Sequence, residues 1–564
     1  MAYEKKRMKA PRAAGATLRM LAPIAENRVT GGLLSKTMLS NAGILAFREV
    51  EASGSIPFVP PQGCRCGESA PSEKDVVALF ERIASASIDR KEGFSFESAS
   101  EFVAAYRQGR SSPIIVAKRI IKHILESDET EPALRAFVAQ DAQDLLDQAH
   151  ASALRYSEKR ALGPLDGVPV AVKDELDQIG YPTKVGTKFL GSAPAIQDAE
   201  SVAQLRAQGA LLIGKTNMHE IGLGVTGVNA HFGAARNPND LRCVTGGSSS
   251  GSAASVAAGF CPIAVGADGG GSIRIPASLC GVVGLKPTFG RISEHGAAPL
   301  CWSVAHVGPI GATAKDVALA YVVMAGVDSK DPNTFSQPAV DLEGFGNHDL
   351  SGVRLGIYPA WFEDADPEVV DACKRVVDGL KRKGCEVKEI EIPELSFMRT
   401  VHLVIIVSEM AAALLAEDKG HRKDFAHDTR LNLAIAQQLK ASDYVHAQRH
   451  RVRLCTHFDH ALEQIDAIVT PTTACTAPVI PKDALKTGES NLAVTDKIMR
   501  FTSAANLTGL PAISLPAGYD QNGLPIGIQL IGRAFEEHLL LRIADAADDL
   551  VHRCQPKVYF RLLD

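Results

Sequence analysis

Apolar residues fall along this chain in two rhythms. From about residue 165, short apolar runs such as "VPVAVKD" and "ALLIGKTN" are too brief for helices and read as buried strands. Between them, "AESVAQLRAQG" has helical spacing. The alternation returns near the end, where "DAIVTPTT", "PAISLPAG" and "PIGIQLIG" read as strands and "EEHLLLRIADAADDL" as a helix. Strands alternating with helices predict an α/β domain with a largely buried sheet. Before residue 165 the period is helical. "SEKDVVALFERIASAS" carries Ser72 as its N-cap candidate, and "SASEFVAAYRQGR" and "SSPIIVAKRIIKHILES" follow. A Pro/Gly/Ser-rich linker, "SGSIPFVPPQGCRCGESAPSE", precedes them. The stretch near 360–465 is mostly helical and more charged, as expected of a covering layer. No repeat of fixed period is present. No run of about 18 apolar residues predicts a membrane-spanning helix.

Composition narrows the partners. The 564 residues suffice for one large domain with attachments or for two to four domains. A net charge of −5 argues against a broad nucleic-acid surface. The first stretch is basic: Lys5, Lys6, Arg7, Lys9, Arg12 and Arg19 face only Glu4. It reads as a solvated arm, a transit segment or a membrane-surface contact. The 11 cysteines are odd in number and scattered, and no secretory leader opens the chain. Reduced thiols in an intracellular protein are expected. Cys64 and Cys66 have no second pair at zinc spacing. Met218 to Glu220 lacks H-E-x-x-H, so no metal site is expected.

Two motifs fail on context. "GLGVTG", Gly222 to Gly227, fits G-x-G-x-x-G, but "NMHEI" separates it from its strand, and the nearest later acid is Asp240. "GSSSG" fits the nucleophile elbow at Ser249, but turn-like sequence precedes it. Three other segments are more informative. "GVPVAVKDELDQIG" places Lys173 at the end of a buried strand, or on a surface reached by snorkelling. "TGGSSSGSAA" runs from a Gly/Ser loop through Ser248, Ser249 and Ser250 into small residues. "GADGGGSIRIPASLCG" sets three glycines before Ser272, with Arg274 close by. Such glycines permit a tight turn whose N–H groups point one way, a nest suited to an oxyanion.

Together these segments resemble the amidase signature family of serine hydrolases. Lys173 and Ser248 are 75 residues apart, and Ser248 and Ser272 are 24 apart, which is the family's pattern. The chain is most similar to the plant-type fatty acid amide hydrolase branch, in "MKAP", "GKTNMHEIGLGVTG" and "VTPTTACTAPVIPKDALKTGESN". Its closing "FTSAANLTGLPAISLPAGYDQNGLPIGIQLIGR" is shared more widely among amidases. Ala267 departs from the usual Thr or Ser beside the Asp.

The resemblance implies a large mixed, twisted sheet with helices on both faces. It implies an N-terminal, mostly helical extension over residues 1–100 and a catalytic domain over 101–564. It implies a Ser-Ser-Lys triad in which Ser272 is the nucleophile, Ser248 the relay and Lys173 the base. Burial at the end of "VPVAV" is expected to favour the neutral amine that a base requires. Backbone N–H groups of Gly269, Gly270, Gly271 and Ser272 would hold the oxyanion, and the backbone of Gly222 would line the acyl pocket. Ser249 and Ser250 would tie loop backbone, and Arg274 would order the nucleophile loop. No metal or organic cofactor is implied. The expected substrate is a fatty acid amide such as an N-acylethanolamine, and the protein is expected as a homodimer, with a peripheral endomembrane contact through its N-terminus among the expectations. The alternatives are the amidase component of a glutamyl-tRNA amidotransferase or another small-amide amidase. A non-catalytic relative would not be expected to keep Lys173, Ser248 and Ser272 together.

Overall fold

The computed structural model describes residues 3–5, 11–27, 30–50, 80, 83 and 93–563. The linker, Cys64, Cys66, the Ser72 cap and several of the first basic residues lie outside them. Eleven strands of the described residues form one sheet. In chain order they are β1 (Phe137–Ala139), β2 (Pro169–Lys173), β3 (Leu211–Thr216), β4 (Ile263–Ala267), β5 (Val283–Lys286), β6 (Val307–Gly311), β7 (Arg354–Ile357), β8 (Glu386–Glu389), β9 (Ala467–Pro471), β10 (Ala512–Tyr519) and β11 (Pro525–Gly532). Across the sheet the order is β8-β7-β9-β11-β10-β5-β6-β4-β2-β3-β1. The β4-β2-β3 trio is parallel, as is β8-β7-β9, and antiparallel pairs join them. The sheet is therefore mixed.

Both faces are covered. In β9, β10 and β11, Ile468, Ala512 and Ile531 enter one apolar core, while their neighbours Val469, Ile513 and Leu530 enter another. Side chains alternate across a strand, so this split means that apolar layers lie on each side. Every predicted strand quoted above is present. The strands β1, β4, β5, β6, β7 and β8 are additions. β8 reads "EVKE" and is mostly exposed, since an edge strand needs no apolar run.

The N-terminal extension packs on the catalytic body. Helix Gly15–Glu26 lies against helix His427–Ala436, and Glu26 pairs with Arg430 at 2.7 Å. Arg12 binds Asp483 at 2.6 Å and Glu489 at 2.7 Å, and Ala13–Ala14 pairs antiparallel with Glu489 and Ser490. "PKDALKTGESN" is thus the seat of the extension. Helix Ala99–Arg107 spans the boundary expected at residue 100. By length and composition, the 19 residues Leu395–Ala413 could cross a membrane. In the fold they pack against helices Ala441–Leu462 and Ser503–Thr508, and they serve the site below.

Candidate active site

Two neighbouring parallel strands, β2 and β4, end at the same edge of the sheet, with Val172 opposite Val265. Lys173 closes β2 and Ala267 closes β4, so one register places a lysine beside the start of the glycine turn. The chain enters β4 from helix Ser250–Ala257, every residue of which is buried. Its small residues allow that depth. A Cβ on Gly251 would sit 2.1 Å from the carbonyl oxygen of Ala136 and 2.5 Å from the amide nitrogen of Asn217. The serine run lies at the head of this helix because the helix itself is packed against the sheet.

Lys173 is fully buried. Its Nζ lies 2.9 Å from Ser248 Oγ, 3.1 Å from the carbonyl oxygen of Ala267, and 2.6 Å from Glu175 Oε2. The snorkelling alternative is thereby removed. The Gly247–Ser248 peptide is cis. Ser249 donates its N–H to the carbonyl of Ser272 at 3.2 Å, joining the serine run to the glycine turn. Ser249 Oγ also bonds the Ala267 backbone, and Ser250 Oγ donates to the Asn217 carbonyl. Both hydroxyls thus bond backbone groups.

Asp268 builds the glycine turn. Its carboxylate accepts from the N–H groups of Gly271 at 2.6 Å and Ile273 at 3.0 Å. Arg274 clamps the same carboxylate through Nε and Nη2, each at 3.0 Å. The guanidinium also donates to the Thr502 carbonyl, Gln529 and Asn506. Burial raises the Asp268 carboxyl pKa, but Arg274 and the backbone donors outweigh it and hold the group well below the usual carboxylate range. The ordering role of Arg274 is therefore visible in geometry.

One expectation changes here. The Gly271 N–H is committed to Asp268, so it is not an oxyanion donor. Gly271 serves by shape. Its φ is +129°, and a Cβ there would lie 2.4 Å from Thr502 Oγ1. Gly269, Gly270 and Ser272 remain the donor candidates.

Ser248, Ser272, Lys173 and Gly222 line one cavity of about 230 Å³, open at its mouth. Gly222 has φ +71°, and a Cβ on it would approach Ser248 Oγ to 3.6 Å. Leu39, Ile44, Leu300, Leu403, Ile406 and Met410 give the cavity an apolar wall. Leu39 and Ile44 come from the N-terminal extension, which therefore completes the cavity. A second cavity, of about 220 Å³, meets the first at Glu175, Ala267, Leu300, Cys301 and Ala305. Its lining is more polar and includes Glu294, His295, Lys330 and Asp331.

Sequence reasoning missed Glu175, Asp268, His402 and Asn506. Glu175 and Asp268 had a signal, since each stands within a quoted motif. His402 had none. It reaches the turn from the apolar helix Met398–Ala413, and its Nε2 lies 2.8 Å from the Gly269 carbonyl oxygen. Among the described residues no His/Cys/Asp/Glu cluster forms a metal site.

Comparison with known proteins agrees with this geometry. The family model described as Amidase matches residues 119–541. A fatty acid amide hydrolase of Oryza sativa subsp. indica is 38% identical over 100% of this chain and 96% of its own length. A second fatty acid amide hydrolase, from Arabidopsis thaliana, is 37% identical over 100% of this chain and 96% of its own. The crystal structure of a peptide amidase from Stenotrophomonas maltophilia superposes with a TM-score of 0.70 at 28% identity, covering 81% of this chain and 98% of the other. The chain belongs to the amidase signature family and is an amidohydrolase.

Proposed function

We propose that this protein hydrolyses fatty acid amides such as N-acylethanolamines, through an acyl-enzyme on Ser272. The observation that carries the reading is the Lys173–Ser248 contact of 2.9 Å at the polar end of a cavity with an apolar wall. A serine hydroxyl needs a base to attack an amide. Ser272 gives its proton to Ser248 as it attacks, and Ser248 gives its own to Lys173. The oxyanion meets the N–H groups of the glycine turn. Such donors are each worth roughly 100- to 1000-fold in rate. The proton then returns through Ser248 to the leaving nitrogen, because an unprotonated amine leaves poorly. Water repeats the sequence on the acyl-enzyme.

The reach of the cavity supports a lipid substrate over a small amide. The cavity extends from Ser272 to Leu39 and Ile44 of the N-terminal extension. Nearby on the extension, Met20 is 64% and Leu33 is 77% exposed, a surface suited to lipid contact. The test is release of free amine by the purified chain from N-acylethanolamines of increasing acyl length. Turnover that rises with acyl length agrees with the reading. Turnover confined to short amides, or ammonia transfer only with a partner protein, sinks it.

A further inference from the structure

Glu175 stands two residues beyond Lys173, and its carboxylate is the nearest group to the catalytic amine. Three acceptors surround Lys173 Nζ: Glu175 Oε2 at 2.6 Å, Ser248 Oγ at 2.9 Å and the Ala267 carbonyl at 3.1 Å. An ammonium has three N–H groups, so the charged form is fully satisfied. A neutral amine has two N–H groups and one lone pair. Glu175 and Ala267 accept both hydrogens, because neither a carboxylate nor a carbonyl can donate. The lone pair is then left for Ser248. One arrangement thus serves both protonation states.

We propose that Glu175 is a positioning residue of the proton relay. It aims the lone pair of neutral Lys173 at Ser248, and it stabilises the ammonium that forms when the proton arrives. The proposal rests on the Ser-Ser-Lys reading above. In balance, the Ser272 O–H bond breaks, Ser248 exchanges one proton for another, and an N–H bond forms on Lys173. In this scheme Glu175 only accepts hydrogen bonds and transfers no proton. On the return, the new N–H bond breaks and the leaving nitrogen is protonated.

The surroundings explain why a carboxylate is needed. Lys173 is fully buried and Glu175 is 7% exposed, so water gives the new charge little help. Asp174, between them in sequence, turns away to Lys215, 3.6 Å from its Nζ. The other titratable groups around Glu175 are Cys301, Glu294, Asp331, His295 and Lys330, which line the adjoining cavity. Burial and then Glu175 push the Cys301 thiol well above its ordinary value. Loss of water, followed by Asp331, Glu175 and Glu409, pushes the Glu294 carboxyl up to about 8. Glu409 is held by Ser303 at 2.5 Å. Among the described residues, Glu175 is the carboxylate within ion-pair distance of Lys173.

The experiment compares wild type with Glu175→Gln, Glu175→Asp and Lys173→Ala on a matched long-chain amide and ester across pH. Labelling of Ser272 by a fluorophosphonate and the melting temperature report folding. Glu175→Gln should lower kcat on the amide by about tenfold or more, with KM little changed. Its rising pH limb should move toward acid by about one to three pH units, since an ammonium without its carboxylate gives up its proton more readily. Glu175→Asp should restore most of the limb. A folded Glu175→Gln with wild-type kcat and an unmoved limb overturns the proposal. If Glu175→Gln does not fold, Glu175→Ala decides: a lowered kcat with a moved limb supports the role, and full kcat with an unmoved limb overturns it. Lys173→Ala separates the two levels. If it keeps the wild-type profile, the relay itself fails, whereas a lost limb there with an unmoved limb in Glu175→Gln removes only the part given to Glu175.

Discussion

His402 Nε2 and the carbonyl oxygen of Gly269 are 2.8 Å apart, although 133 residues separate them in the chain. A carbonyl can only accept, so Nε2 carries the hydrogen and the ring is a donor. The long apolar helix thereby props the first peptide of the glycine turn. Burial lowers the His402 pKa from 6.5 to about 4, against a smaller opposing effect of the Gly269 carbonyl. The unfolded chain therefore takes up this proton first as pH falls. Stability should be full above about 6.5 and decline toward about 4, by on the order of 3 kcal/mol. His402→Ala should flatten that part of a stability–pH curve and lower kcat by roughly tenfold or more. His402→Gln, which keeps a donor, should recover part of kcat. A His402→Ala enzyme with unchanged kcat would show that the prop is dispensable.

Arg274 and Asp268 form a buried pair, and their loss should be felt in stability before chemistry. Arg274→Met leaves a carboxylate without its cation in a dry site, at a cost of about 3–5 kcal/mol. Denaturant unfolding measures it. The Asp268 pKa is depressed in the fold, so its contribution is present above the ordinary Asp range and is lost as pH falls through and below that range. In Arg274→Met this acid-side loss should shrink. An equal loss in both proteins would place its source elsewhere.

The parts of the site that could be read from sequence are those that lie contiguous in it. Lys173, the serine run and the Gly269–Ser272 turn each sit in a short motif, and the register of β2 and β4 brings the motifs together. Glu175 was within reach, because residues i and i+2 leave a strand end on one side, but "KDE" offers two acids and no rule for choosing. His402 was out of reach, since an apolar helix with one histidine reads as core. The stretch 360–465 read as a covering layer, yet its helix Met398–Ala413 supplies part of the cavity wall. The donor role given to Gly271 failed because a spacing cannot reveal that Asp268 claims the same N–H.

Ser272→Ala should abolish turnover and fluorophosphonate labelling while leaving the fold intact. Ser272 is 6% exposed and faces the cavity, whereas Ser249 is fully buried with its hydroxyl on the Ala267 backbone. Intact protein mass after labelling distinguishes them. A label retained at one site in Ser272→Ala would move the nucleophile elsewhere.

Leu39 and Ile44 bring the extension into the cavity, so their effect should depend on acyl length. Leu39→Ala with Ile44→Ala should raise KM for long-chain amides more than for short ones, by about 1 kcal/mol or more of lost apolar contact. Melting temperature serves as the control, because both residues are also core. An equal rise for both lengths would leave them a packing role alone.

The relay from Ser272 through Ser248 to Lys173 is tested most directly by pH–rate profiles of wild type and Lys173→Ala on one amide and its matched ester. In wild type, kcat/KM on the amide should rise with pH along a limb that depends on Lys173 as the proton acceptor. Lys173→Ala should lose that limb and keep only slow activity that climbs with hydroxide. The ester should suffer less than the amide, because its alkoxide leaves without prior protonation. A Lys173→Ala enzyme that keeps the wild-type profile on the amide would contradict the relay.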